Sequence, residues 1–144
     1  GKMTLISGDK RITFSLAGTL SELDRLNEKL KMVGERWNLS EKAVLHMNLA
    51  LDELFTNVVS YGIDHQTHQE VSFSLDHCGD EIIIVVADSG KPFDPTHAPD
   101  PQLDLPIDAQ PVGGLGIFLM RQYTDNIEYR RENEKNIVTL TKKI

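Results

Sequence analysis

The most constraining feature of this 144-residue chain is the order of three short fragments, each at the end of a predicted helix or strand. Glu53 and Asn57 come late in an amphipathic helical segment, where their side chains project only about 40° apart. Asp88 and Gly90 follow an apolar strand, and a glycine cluster, Gly113-Gly114-x-Gly116, precedes a second helical segment. If the fragments form one site, the fold must bring these element ends together.

Length, charge and cysteine content narrow the class of protein. We expect one domain covering residues 1–144, and the 15 basic against 22 acidic residues argue against a nucleic-acid partner. The single cysteine excludes an internal disulfide, and neither a signal-peptide pattern nor an apolar run longer than residues 82–87 is present. We therefore expect a cytoplasmic protein with no membrane partner. Gly1 in the place of an initiator methionine indicates a tag remnant or a domain cut from a longer chain.

Two amphipathic helices are predicted in the first half of the chain. Thr19-x-x-Glu22 predicts a capping box, followed by an apolar stripe at intervals of three and four residues (Leu20, Leu23, Leu26, Leu30, Val33 and Trp37). Ser40 predicts the N-cap of the second helix, which should end near Gly62, where glycine suits a left-handed cap. Both apolar faces need a partner layer.

Alternating and continuous apolar segments predict the strands of that layer. The predicted strands cover residues 11–16, 71–75, 82–86, 127–131 and 137–141, and residues 116–123 are predicted to be helical. All six prolines lie between residues 91 and 112, where no periodicity is sustained. We interpret this segment as a mobile lid loop.

The residue types in the three fragments suit a bound nucleotide. Asn57 can present a carbonyl oxygen to Mg²⁺, and Glu53, one turn earlier, can accept a proton from an attacking hydroxyl or water. Asp88 after a β-branched strand needs a donor such as an adenine amine, and Gly90 lets the chain pass close to the base. The glycine cluster offers N–H groups to phosphates beside a helix N-terminus. Taken singly, each fragment also fits an ordinary cap, turn or helix–sheet contact.

As an ordered set, the fragments resemble the Bergerat-fold ATPases, the family shared by gyrase, histidine kinases and the anti-sigma serine kinases. The segments LALDELFTNVVSYG, DSGKPFDP and GGLGIFLMRQYTDNIEY look like the N, G1 and G2 boxes of the single-domain anti-sigma regulatory kinases. The resemblance implies an α/β fold, a two-layer sandwich with helices on one face of a mixed, largely antiparallel sheet.

The resemblance also implies roles for individual residues. Glu53 would be the catalytic base and Asn57 the Mg²⁺ ligand. Asp88 would bind the adenine amine, with Gly90 as a contact on the base side. Three glycines would contact the phosphates: Gly113, Gly114 and Gly116. Near the C-terminus, Lys135-Asn136-Ile137 stands where many relatives carry Gly-Thr-Thr. This difference predicts that a water-mediated threonine contact to adenine is missing.

The function implied by the resemblance is an ATP- and Mg²⁺-dependent protein serine/threonine kinase. It would bind a sigma factor and phosphorylate an anti-sigma antagonist, with self-association left open. The lid motivates an alternative, a nucleotide-gated binding module without effective kinase activity, because residues 92–112 contain four aspartates and no lysine or arginine. A third reading, the excised catalytic half of a histidine kinase, is disfavoured by the complete N-terminal strand and first helix and by the short lid.

Overall fold

The structure, a computed structural model, describes residues 4–6, 10–63, 69–94 and 120–144, with residues 4–6 described by their backbone alone. The first half of the chain forms strands β1 (Thr4–Ile6) and β2 (Arg11–Ala17), a 3₁₀ turn (Leu20–Glu22), helices α1 (Leu23–Arg36) and α2 (Glu41–Asn57), and a π turn (Val58–Gly62). Four strands follow: β3 (Glu70–Cys78), β4 (Glu81–Asp88), β5 (Asn126–Glu132) and β6 (Lys135–Lys143). Residues 120–123 are also helical, within the predicted helix at 116–123.

The strands form one six-stranded sheet in the order β1-β2-β3-β4-β6-β5. All five pairings among the described strands are antiparallel. Alternate residues of β2, β3, β4 and β6 are buried in one cluster with the apolar faces of α1 and α2, while the residues between them stay half-buried or exposed. The predicted α/β sandwich with helices on one face of a largely antiparallel sheet is confirmed.

Aromatic packing joins the sheet to α2 at the centre of the core. Phe14 of β2 and Phe73 of β3 are register partners, and their rings stack with centroids 4.8 Å apart. Phe55 of α2 packs against Phe73, with the two ring centroids 6.2 Å apart. Burial of such large side chains contributes about 1.5–3 kcal/mol each, so this contact fixes the position of α2 over the strands.

The N-termini of the two helices differ from each other. Ser40 caps α2 as predicted, because its Oγ accepts a hydrogen bond from the Ala43 N–H at 3.1 Å. The capping box predicted for Thr19 and Glu22 is wrong. The Thr19 hydroxyl pairs with the Ser21 hydroxyl at 3.0 Å, a 3₁₀ turn comes first, and α1 begins only at Leu23.

The left-handed cap predicted at Gly62 is also wrong. Among the described glycines only Gly79, in the β3–β4 turn, has a positive φ, of 64°. The chain instead leaves α2 through the π turn, in which the Ile63 N–H donates to the Val58 carbonyl at 3.0 Å. Strand β1 was not predicted, since three residues carry too little pattern to read. Within the described part of the chain, no helix is long and apolar enough to cross a membrane.

The two helix starts generate a matched pair of substitutions. Ser40→Ala should lower the free energy of unfolding by about 1 kcal/mol, because it removes a side-chain cap from a first-turn N–H. Thr19→Ala should change it by less than about 0.5 kcal/mol, because Thr19 caps no N–H. Urea denaturation followed by circular dichroism measures both. An equal loss in the two variants would contradict this assignment of the caps.

Candidate functional site

The C-terminal end of α2 carries a buried polar side chain without a partner. Asn57 is the last residue of α2 and is only 5% exposed, and its Nδ2 has no hydrogen-bond partner among the residues described. Leaving a buried donor unpaired costs about 1–3 kcal/mol. The π turn begins at the next residue, and such turns occur frequently at functional sites. A buried polar side chain without a protein partner is a candidate for contact with a ligand.

Glu53 lies one turn before Asn57 on α2 and is half-buried. The helix thus presents a carboxylate and an amide along one edge, as the sequence spacing predicted. No group of three or more acidic, histidine or cysteine side chains suitable for a metal occurs in the described ranges. The side-chain oxygen of Asn57 suits a Mg²⁺ ion whose other ligands are phosphate oxygens and water. A single protein ligand is enough in such a case, because Mg²⁺ keeps several waters and needs few protein ligands.

Asp88 is the last residue of β4 and is 5% exposed. Its Oδ1 accepts two hydrogen bonds, from the Gly90 N–H at 2.9 Å and from Asn136 Nδ2 at 3.1 Å. Its Oδ2 receives no hydrogen bond from the part of the chain that is described. One carboxylate oxygen is thus fixed by the protein, and the other can accept a hydrogen bond from a bound molecule.

Asn136 is a site residue whose role the sequence reasoning missed. It is the register partner of Asp88 on β6 and is 2% exposed. Its Nδ2 also donates to the Lys91 carbonyl at 2.8 Å, while its Oδ1 accepts from the Phe93 N–H at 3.2 Å and from the Tyr129 hydroxyl at 2.7 Å. The alternation of the strand could have indicated its burial, because Asn136 lies on the same side of β6 as the buried Val138 and Leu140.

Gly90 is required by a close approach of two backbone segments. A Cβ built on Gly90 would lie 1.9 Å from the carbonyl oxygen of Gly62, at the end of the π turn. The Lys91 N–H donates to that same carbonyl at 2.9 Å. These contacts bring the end of the π turn against the loop that follows Asp88. The contact seen for Gly90 is with protein backbone, and its predicted contact with a base stays a prediction.

The structure connects the segments of two of the three predicted fragments through the π turn. This turn follows Asn57 and ends at Gly62, whose carbonyl contacts Gly90 and Lys91 in the loop after Asp88. The third fragment lies outside the described residues (Gly113, Gly114 and Gly116), as does the predicted lid beyond Asp94. The roles predicted for these glycines, and for the other site residues, stay predictions.

A second carboxylate beside Glu53 was not singled out from the sequence. Asp52 is half-buried, and its Oδ1 has no hydrogen-bond partner within the described residues. Burial, followed by the neighbouring charge of Glu53, raises the pKa of Asp52 to about 6. Perturbed carboxylates are concentrated at functional sites, although burial alone also produces them. The readable signal was the pair of adjacent acids at the border of the apolar face.

The raised pKa of Asp52 predicts a pH-dependent effect on stability. Because its folded-state pKa lies above the ordinary value of 3.8, its stabilising contribution is complete below about pH 4 and is lost as the pH rises through about 6. Asp52→Asn should therefore raise the free energy of unfolding at pH 7.5 by about 1 kcal/mol, after allowance for solvent screening. Urea denaturation at pH 4 and pH 7.5 measures the difference. A gain of the same size at both pH values would contradict this origin.

Comparisons with known proteins match most of this chain to one family of ATPase domains. The model of the histidine kinase-like ATPase domain family matches residues 16–142. The serine/threonine-protein kinase BtrW of Bordetella bronchiseptica is 31% identical over 107 residues, which are 74% of each chain. The serine-protein kinase RsbW of Bacillus subtilis is 29% identical over 126 residues, covering 78% of this chain and 72% of the relative.

Solved structures show the same fold at low sequence identity. The RsbU and RsbW domains of a Mycobacterium tuberculosis protein superpose with a TM-score of 0.66 at 12% identity, over 92% of this chain and 32% of that one. The histidine kinase domain of a blue-light activated kinase from Erythrobacter litoralis gives a TM-score of 0.54 at 15% identity, over 86% of this chain and 60% of that one. At these identities the likeness concerns the fold alone.

Proposed function

The chain belongs to the histidine kinase-like ATPase family, and we propose that it is an ATP-dependent protein serine/threonine kinase. The family is the one predicted from the three fragments, and the relatives BtrW and RsbW carry the names of serine/threonine- and serine-protein kinases. The observation that carries the proposal is the arrangement of Asp88, with one oxygen fixed by two donors and the other available. An adenine amine is a donor of the kind that this oxygen needs.

The proposed roles of the side chains are those that the family resemblance implies. Asp88 Oδ2 accepts a hydrogen bond from the adenine amine, and the loop at Gly90 lies beside the base. Asn57 would hold Mg²⁺, and the ion would supply positive charge to offset the negative charge of the triphosphate. A serine or threonine hydroxyl of the substrate protein attacks the γ-phosphorus, the bond to the β,γ-bridging oxygen breaks, and ADP leaves. Glu53 takes the proton of the attacking hydroxyl.

The resemblance to the anti-sigma regulatory kinases supplies the proposed partners. The substrate is a serine of an anti-sigma antagonist, and the second partner is a sigma factor, so the protein regulates transcription in the cytoplasm. The net charge of −7 fits a role that involves protein contacts and no direct contact with DNA. ATP then has two roles, as phosphoryl donor and as a ligand that orders the lid.

The second candidate is a nucleotide-gated binding module without effective phosphoryl transfer. The acidic composition of residues 92–112 favours it, because four aspartates are a poor environment for a γ-phosphate. In this case the chain binds Mg-ATP and its partner but forms no phosphorylated product.

Calorimetric titration with ATP and ADP, with and without Mg²⁺, tests the nucleotide site. Asp88→Asn should weaken ATP binding at least about tenfold, because an amide replaces the carboxylate that accepts from the base. Asp80→Asn is the matched control, since Asp80 is exposed in the turn at the other end of β4. Asp88→Asn that binds ATP as tightly as the natural chain would refute the assignment of Asp88.

Phosphoryl transfer to a purified anti-sigma antagonist tests the role of Glu53. Glu53→Gln should lower the rate of transfer by about 10²–10⁴-fold and leave ATP affinity unchanged, because the amide cannot take the proton. Glu41→Gln, at the exposed start of α2, is the control. Loss of ATP binding in Glu53→Gln would contradict the role of a base. ATP binding without transfer by the natural chain would favour the binding module.

A further inference from the structure

We infer that Asn136 is the positioning residue that makes the site selective for adenine, by holding Asp88 and the first residues of the lid in one hydrogen-bonded unit. This inference rests on the proposed nucleotide site at Asp88. We call residues 90–93 the lid root. The amide of Asn136 contacts Asp88 on one side and the lid root on the other.

The orientation of the Asn136 amide is dictated by its partners. The Phe93 N–H can only donate, so it must face Oδ1, and the Lys91 carbonyl can only accept, so it must face Nδ2. The Tyr129 hydroxyl donates to the same Oδ1. With this orientation Nδ2 necessarily points its second N–H at Asp88 Oδ1. A flipped amide would set oxygen against oxygen at two contacts.

Two donors hold Asp88 Oδ1, and they differ in what they contribute. The bond from the Gly90 N–H is local and is made within the turn after β4. The bond from Asn136 comes from the neighbouring strand β6 and anchors the carboxylate to the sheet. Without it the carboxylate could rotate about its side-chain bonds and offer either oxygen. Asn136 thus decides which oxygen the base meets, and where.

The lid root is attached on both sides of the site. On the α2 side, the Lys91 N–H bonds the Gly62 carbonyl, and the Phe93 ring lies 6.0 Å from the Tyr61 ring. On the sheet side, Asn136 holds Lys91 and Phe93, and Arg131 Nη1 donates to the Gly90 carbonyl at 2.7 Å. The segment that begins the lid is therefore set by the same amide that sets the base-reading carboxylate.

A fixed acceptor distinguishes bases by the group at position 6 of the purine. Adenine carries an amine there, which can donate to Asp88 Oδ2, whereas hypoxanthine carries a carbonyl, which would face the carboxylate oxygen to oxygen. Sites built to meet one hydrogen-bonding group reject its opposite strongly, because a buried polar group is then left unpaired. A carboxylate that can rotate away loses this discrimination.

The test compares the affinities of ATP and inosine triphosphate by calorimetry in two variants of the full chain. Asn136→Ala should weaken ATP binding at least about tenfold, should leave inosine triphosphate binding unchanged or tighter, and so should reduce the ATP preference at least about tenfold. Tyr129→Phe, which removes one donor that orients the amide, should reduce the preference about threefold. Asn126→Ala is the control, since Asn126 is exposed at the start of β5 and its side chain donates a hydrogen bond to the exposed Glu128 at 3.2 Å.

The base preference separates positioning from a merely structural role, since a loss of folded protein lowers both affinities equally. An unchanged ratio of the two affinities in Asn136→Ala and Tyr129→Phe would overturn the inference while leaving the proposed function intact. If Asn136→Ala does not fold, as judged by circular dichroism, the ratio in Tyr129→Phe alone decides. A natural chain that binds neither nucleotide would overturn the proposed function and this inference together.

Discussion

The hydrogen bond between Asp88 and Asn136 is the interaction on which the candidate site depends. Both side chains lie on the apolar side of the sheet, where an unpaired polar group would cost several kcal/mol. The antiparallel register of β4 and β6 makes them direct partners, so each satisfies the other. A slip of one residue would place Ile137 opposite Asp88 and leave the carboxylate without this donor. The long, regular β4–β6 ladder thus protects a polar contact at its end.

A second constraint sets the position of α2 relative to that contact. The π turn after Asn57 carries the chain to Gly62, whose carbonyl approaches Gly90 so closely that no side chain fits there. The helix is anchored from the core side by Phe55 and from this end by the backbone of the Asp88 loop. Asn57 lies just before this turn, and its Nδ2 has no hydrogen-bond partner among the described residues. Packing elsewhere offsets the cost of this unsatisfied group.

The sequence was sufficient to predict the features that depend on hydrophobic periodicity. It was not sufficient to predict the features that depend on which residues a side chain contacts in the folded chain. Buried residues recur in β2, β3, β4 and both helices as the apolar pattern indicates, so the layers and the family were predictable. Thr19 and Gly62 were misread because their surroundings, a neighbouring hydroxyl and a π turn, leave no periodic trace. Asn136 was noticed only as a departure, since its importance comes from register across β4 and β6. Local pattern does not encode that register.

The two halves of the proposed chemistry have different physical supports. Base recognition would use buried groups that are hydrogen-bonded to one another, namely Asp88, Asn136 and the lid root. Phosphoryl transfer would use Glu53, which is half-buried on α2 beside Asp52, a carboxylate whose pKa is raised to about 6. The proposed base site would therefore persist if the acidic end of the site lost its activity. A kinase and a nucleotide-gated binding module would then share this fold and differ in the charge around the phosphates.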